Sequence, residues 1–212
     1  MAEWASESGQ SGQSGQSGQS VESVESVEGT VRDARPGDAR AIAIVHVASW
    51  QAAYRGLLPD DYLAGLSVER RAEQWSGILA DPSPGHVVVL DVGGRIAGFA
   101  HVGPSGDDDV PPATGELYTI YLHPDVWGRG GGGQLMESAL GRLSGDGCTT
   151  VVLWMLSTND RARRFYLGQG WSEVPGRRTQ QFGGQVVTDH RFGRSLAPQG
   201  TATGQIFTRP SQ

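Results

Sequence analysis

Residues 116–143 read ELYTIYLHPDVWGRGGGGQLMESALGRL. An apolar run ends at Leu122, a turn dense in glycine follows, and Leu135, Met136, Ala139, Leu140 and Leu143 then recur every three or four positions. The first part reads as a strand, Glu116 to Leu122, and the last as a helix, Gly130 to Leu143, with one apolar face. A glycine turn that delivers a strand into a helix leaves unpaired N–H groups at the positive end of the helix dipole. Glycines let those amides approach a ligand closely, so the segment reads as an anion site.

The same turn also bears comparison with three other patterns. Gly128, Gly130 and Gly133 satisfy the G-x-G-x-x-G spacing of dinucleotide-binding folds. In those folds, however, the glycines follow the strand at once and an acid ends the next strand about 20 residues on. Here residues 123–127 intervene, and Asp160 lies too far along. A Walker A loop fails for want of Lys, and a glycine turn with no ligand satisfies the same spacing.

Working outward, Thr150 to Leu156 reads as a strand and Asn159 to Gly168 as a helix, so strand and helix alternate twice. Trp171 to Gln181 and Gln185 to Phe192 form a hairpin around Gly183-Gly184. Upstream, Thr30 to Ala34 is a short strand and Asp38 a candidate N-cap for a helix from Ala39 to Tyr54. A second helix spans Val68 to Leu79 behind Ser67, and His86 to Asp91 and Arg95 to Val102 form a hairpin across Gly93-Gly94. Gly103 to Thr114 (GPSGDDDVPPAT) reads as a solvent loop. About seven strands and four helices in this order imply a mixed α/β (α+β) sheet with helices packed on it.

Composition bounds the rest. Glycine supplies 32 of 212 residues, about double ordinary usage. Residues 8–19 are Ser-Gly-Gln copies, followed by Val-Glu-Ser repeats, with too little apolar surface to offset chain ordering. The sequence divides into a disordered tail over 1–29, one domain over 30–196 and a loose C-terminal tail over 197–212. Most of the formal charge of -6 belongs to the first tail, which holds Glu3, Glu7, Glu22, Glu25 and Glu28 and no Arg. The remaining domain is near neutral, which argues against nucleic acid. Cys148 is alone, without a metal-ligating set or a disulfide partner, and no apolar run is long enough to span a bilayer, so a cytoplasmic protein is expected.

Residues 116–143 resemble the acetyl-CoA signature of the GNAT (Gcn5-related N-acetyltransferase) superfamily, whose loop is Q/R-x-x-G-x-G/A, with Gly130 and Gly132 on its two glycines. Residues 159–171, NDRARRFYLGQGW, resemble its second signature in the spacing of Asn159, Ala162, Tyr166 and Gly170-Trp171. The likeness extends from about Thr30 to Leu196. Trp127 replaces the first Q/R, while Gly131 and Gly133 stand where relatives carry an apolar and a basic residue. Losing that cation implies a looser cofactor site.

The resemblance implies a GNAT fold with the strands Glu116–Leu122 and Thr150–Leu156 splayed apart. It also implies acetyl-CoA as cosubstrate, with no metal. Pantetheine would pair with backbone groups of Ile120, Tyr121 and Leu122, the Leu122 amide facing the thioester oxygen. The pyrophosphate would meet Trp127, Gly128, Arg129, Gly130, Gly131, Gly132 and Gly133, and Asn159 would complete the site. Tyr166 is the expected general acid and Glu116 the expected general base.

Each residue also has a plainer reading: Tyr166 as core, Asn159 as a helix cap, Glu116 as a solvated strand residue. Tyr118, Tyr121, His101 and His123 are alternative bases. Trp50, Tyr54, Tyr62 and Trp75 fall where relatives build the acceptor wall. The acceptor is a small-molecule amine or a protein N-terminus, and a homodimer is compatible with the resemblance. A non-catalytic acyl-CoA-binding module is the competing function.

Overall fold

The computed structural model describes residues 26–81 and 85–196. In chain order they form β1 (Thr30–Asp33), α1 (Ala39–Ala53), α2 (Asp60–Ala64), α3 (Val68–Ala80), β2 (His86–Val92), β3 (Arg95–Pro104) and β4 (Thr114–Leu122). Then follow α4 (Gly131–Gly145), β5 (Thr150–Leu156), α5 (Asp160–Gly168), β6 (Ser172–Phe182) and β7 (Gln185–Ser195). Short 3-10 turns at Pro36–Asp38 and Pro124–Val126 lead into α1 and follow β4. The repeats of residues 8–19 and the segment 197–212 lie outside the described residues.

The seven strands make one sheet in the order β1-β2-β3-β4-β5-β7-β6, antiparallel at every junction except β4 with β5. Near-continuous apolar runs such as Val87–Leu90 and Val151–Leu153 are buried from both sides because helices cover both faces. On one face, α1 and α3 bring Ile42, Val45, Trp75 and Leu79 onto Val87, Val89 and Phe99. On the other, α4 lays Leu135, Met136, Ala139 and Leu143 against Val88, Leu90, Ala100, Leu117 and Leu153. Each large side chain buried in this way stabilises the fold by about 1.5–3 kcal/mol before entropy is counted.

Two features of β4 open the sheet. The pairing of β4 with β5 lasts only from Thr114↔Thr150 to Glu116↔Val152, and the strands then diverge. On the other side, β3 pairs Val102 with Leu117 but His101 with Thr119, so Tyr118 is an extra, unpaired residue. Such a bulge bends its strand and, the side-chain period being two, exchanges its faces. Leu117 therefore packs under α4, whereas Tyr121 packs under α1.

Some expectations change at this level. A fifth helix, α2, follows Pro59; its DDYLA sequence is too short to show a helical period. Asp38 does not cap α1 with its side chain. Its carboxylate accepts instead from the Arg35 amide at 2.8 Å and the Arg32 guanidinium at 2.7 Å. The packed chain begins before Thr30: Val27 is buried in the α4 core, and its amide donates to the Arg129 carbonyl at 2.8 Å. The loop over 105–113 is anchored as well as solvated. The buried Arg191 binds both Asp109 oxygens and Asp107, and the Trp154 indole donates to Asp107 at 3.2 Å.

Candidate active site

The divergence of β4 from β5 opens a cavity of about 510 Å³ that passes through the sheet between α5 and α1. At one end it is lined by Trp127, Gly128, Gly130, Gly132 and Gly133 of the glycine turn, facing Asn159, Arg161 and Gln169 of the α5 segment. At the other end lie Ser49 and Tyr54 of α1, with Tyr118 and Tyr121 of β4 and Trp154 of β5. Tyr166 of α5 lines the passage between.

Local sequence dictates the shape of the glycine end. Gly130 is the N-cap residue of α4 at φ 82°, a left-handed conformation that only glycine adopts without strain. Gly131 answers to packing: a Cβ there would stand 2.7 Å from Leu90 Cδ2 and 3.0 Å from Val27 Cγ1. It faces the core, and neither it nor Arg129 lines the cavity. Gly133 is different, since the nearest atom to a Cβ there is Gln169 Oε1 at 3.9 Å.

Trp127, where the family carries Gln or Arg, uses its side chain. The indole N–H donates to the Leu122 carbonyl at 2.9 Å, tying the turn to the strand end, and the Arg161 guanidinium lies 3.5 Å from the ring centroid. Burial, then repulsion from Arg164, lowers the Arg161 pKa, yet a guanidinium stays charged at any working pH. Arg161 therefore places a cation at the turn where Gly133 brings none. The sequence reading passed over it, although Arg161, Ala162, Phe165, Tyr166 and Gln169 form one stripe of α5 that also begins at the expected Tyr166 partner, Asn159.

Backbone direction follows from a single bond. The His123 amide donates to Ala97 of β3 at 2.8 Å, and groups on a strand alternate, so those of Leu122 and Ile120 point toward the gap. The Leu122 carbonyl is taken by Trp127, which leaves its N–H facing the cavity. Tyr121 faces β3 with its backbone and lines the cavity with its ring.

Tyr166 packs against Phe165, Trp171 and Phe192. Burial, reinforced by the neighbouring Tyr121, pushes its phenol well above the ordinary value, so it holds its proton throughout the working range. Asn159 is buried and its Oδ1 accepts from the Ala162 amide at 3.0 Å, so it caps α5 while lining the cavity. Glu116 does not line the cavity; it sits half-buried on β4 beside the 105–107 loop. Burial raises its carboxyl above the usual carboxylate range, helped by Asp107 and opposed by a Gly106 amide and Arg178.

Of the four aromatics expected on the acceptor side, only Tyr54 lines the cavity. Trp50 and Tyr62 pack with it in one apolar cluster without lining the cavity, and Trp75 is core, its indole donating to His46 Nδ1 at 3.2 Å. His101 and His123 do not line the cavity, whereas Trp154, unremarked in the sequence, does. Among the described residues, no group of three His, Cys, Asp or Glu side chains could hold a metal ion, and no helix is long and apolar enough to cross a membrane.

Comparison with known proteins gives a consistent picture. Residues 49–171 match the model of the acetyltransferase (GNAT) family. The chain is 32% identical over 130 residues to the uncharacterized N-acetyltransferase YuaI of Bacillus subtilis, covering 61% of this chain and 73% of that one. It is 33% identical over 103 residues to a mycothiol acetyltransferase of Stackebrandtia nassauensis, covering 49% of this chain and 32% of that one. Among solved structures, the fold is similar to the PaiA N-acetyltransferase of Thermoplasma acidophilum in complex with coenzyme A. The TM-score is 0.65 at 16% identity, covering 80% of this chain and 99% of that one. A putative acetyltransferase of Salmonella typhimurium, YncA, with acetyl-CoA, gives a TM-score of 0.61 at 20% identity, covering 84% of this chain and 99% of that one.

Proposed function

This chain belongs to the acetyltransferase (GNAT) family, and from that premise we propose that it transfers the acetyl group of acetyl-CoA to a primary amine by direct attack in a ternary complex. The observation that carries the reading is the through-sheet cavity, with a helix N-terminus and glycine turn at one end and a protonated phenol beside the passage. Acetyl-CoA supplies the activated acetyl group as a thioester; the chain binds, orients and moves protons.

The turn amides at Gly128–Gly133 and the α4 dipole receive the pyrophosphate, and Arg161 adds the cation. Ile120 and Leu122 offer backbone groups to the pantetheine arm as an added strand would, and the Leu122 N–H stabilises charge growing on the carbonyl oxygen. Tyr166 donates to the departing sulfur, and Glu116 removes the ammonium proton through water.

Calorimetric titration of the full chain with acetyl-CoA is expected to give micromolar binding, with none for NAD or ATP. Arg161→Ala is expected to weaken that binding about tenfold, roughly 1.4 kcal/mol. Unchanged affinity would remove Arg161 from the site. Glu116→Gln is expected to lower kcat/KM about 100-fold near neutral pH. As a base, Glu116 works ionised, so wild-type activity should rise with pH through a carboxyl pKa above 4.5, and this limb should vanish in the variant. A pH profile that keeps the limb would assign the base elsewhere.

A further inference from the structure

We infer that the amine acceptor is a small molecule carrying one amino group on an uncharged aromatic or alkyl body, and that polyamines, aminoglycoside-like polycations and protein N-termini are poor acceptors. The inference rests on the acetyltransferase reading and adds the substrate class.

Its first ground is the wall of the acceptor end. Ser49, Ala53, Tyr54, Tyr118, Tyr121 and Trp154 present rings, a methyl group and hydroxyls, and among the described residues the one formally charged group lining the cavity is Arg161, at the glycine end. The residues behind this wall are neutral as well. His46, stacked on Tyr121 with ring centroids 5.1 Å apart, is pushed by burial down to about 3, and His101, beside Tyr118, to about 4. Burial holds Tyr54 and Tyr121 as phenols.

The surrounding charges are already engaged or stand outside. Asp189 is buried and paired with Arg178, and it also accepts from Gln180. Arg71 lies over the Trp50 ring, 5.7 Å from its centroid, and neither it nor Glu116 lines the cavity. A second ammonium would enter this chamber without a carboxylate to offset its desolvation, a cost of several kcal/mol. One amine, neutral when it attacks, meets only ring faces and hydroxyls, and its apolar body gains by burial.

The second ground is the seating of the β6–β7 turn. The β6–β7 turn folds onto α2: the Phe182 ring stands 5.5 Å from Tyr62 and 5.7 Å from Trp50, and Gln185 donates to the Leu57 carbonyl at 3.3 Å. Gly183 packs so closely that a Cβ there would lie 2.8 Å from Tyr62 Cβ. The space between the turn and α2 is thus filled by packed rings and offers no groove there to an extended polypeptide.

The test is steady-state acetylation by the full chain, followed by thiol release, with 2-phenylethylamine, spermidine and an N-terminal hexapeptide at equal concentration. The expected kcat/KM for 2-phenylethylamine exceeds that for either competitor at least tenfold. Ala53→Asp, which puts a carboxylate on the cavity wall at the end of α1, is expected to shift the ratio toward spermidine by at least tenfold. Preference for spermidine or the peptide in the wild type overturns the inference. So does turnover of none of the three by protein that binds acetyl-CoA, or an unmoved ratio in a folded Ala53→Asp variant. Failure to bind acetyl-CoA would instead overturn the acetyltransferase reading on which the inference stands.

Discussion

Tyr166→Phe is expected to lower kcat by about 100- to 1,000-fold while leaving the Kd for acetyl-CoA within twofold. The substitution removes one hydroxyl and keeps the ring, so contacts with Phe165, Trp171 and Phe192 persist and folding is spared. What is lost is a proton donor that burial keeps protonated at every pH the protein meets. A thiolate leaving into an apolar passage without that donor must leave charged, and the cost appears in the chemical step alone. Thiol release under saturating acetyl-CoA, paired with calorimetry, separates the two quantities. An unaltered kcat would make Tyr166 a core residue, and absence of turnover in the wild type would favour the non-catalytic binding module.

Gly131→Val and Gly133→Arg are expected to act in opposite directions, although both restore residue types common in relatives. A side chain at 131 meets Leu90 at 2.7 Å and Val27 at 3.0 Å inside a closed core, and overpacking of this kind costs about 1–3 kcal/mol. For a domain of this size the melting temperature should fall by roughly 3–10 °C. At 133 the direction is open and faces Gln169, so the arginine is accommodated and acetyl-CoA affinity should rise about tenfold beside Arg161. The double substitution, which sequence comparison alone suggests as a repair of the loop, would mix the two effects. A melting temperature unchanged in Gly131→Val would show that Val27 and Leu90 yield, and an unchanged Kd in Gly133→Arg would show that Arg161 already suffices.

These two glycines illustrate which parts of the molecule were legible in sequence. The strand, turn and helix of residues 116–143 were readable because each has its own period or composition, and the order of elements implied the mixed sheet; the splay came only with the family resemblance. Tyr166 and Asn159 were readable as candidates through their spacing. What escaped depends on contacts between distant segments. Gly131 looks like a departure until Val27 and Leu90 are seen against it. Val27 itself, embedded in a polar low-complexity stretch, carries no periodic signal. The Asp-rich run at 107–109 has the composition of a solvent loop, and only Arg191, more than 80 positions away, reveals that it is fastened beside Trp154 and Glu116. Trp127 reads in the sequence only as a replacement for Gln or Arg, and its side-chain bond to Leu122 and stack with Arg161 belong to the folded chain.

The unpaired Tyr118 gives β4 a half-period phase slip, and this makes strand length itself a functional variable. Removing that one residue would restore phase along the whole of β4. Leu117 would stay opposite Val102 and Thr119 opposite His101, each on its present face, but the bend would be lost and the ladder with β5 could continue past Glu116 and close the gap. Natural variation in this segment is therefore expected to consist of substitutions at fixed length, because a chain one residue shorter would straighten β4 and let it pair with β5 where the cavity now opens.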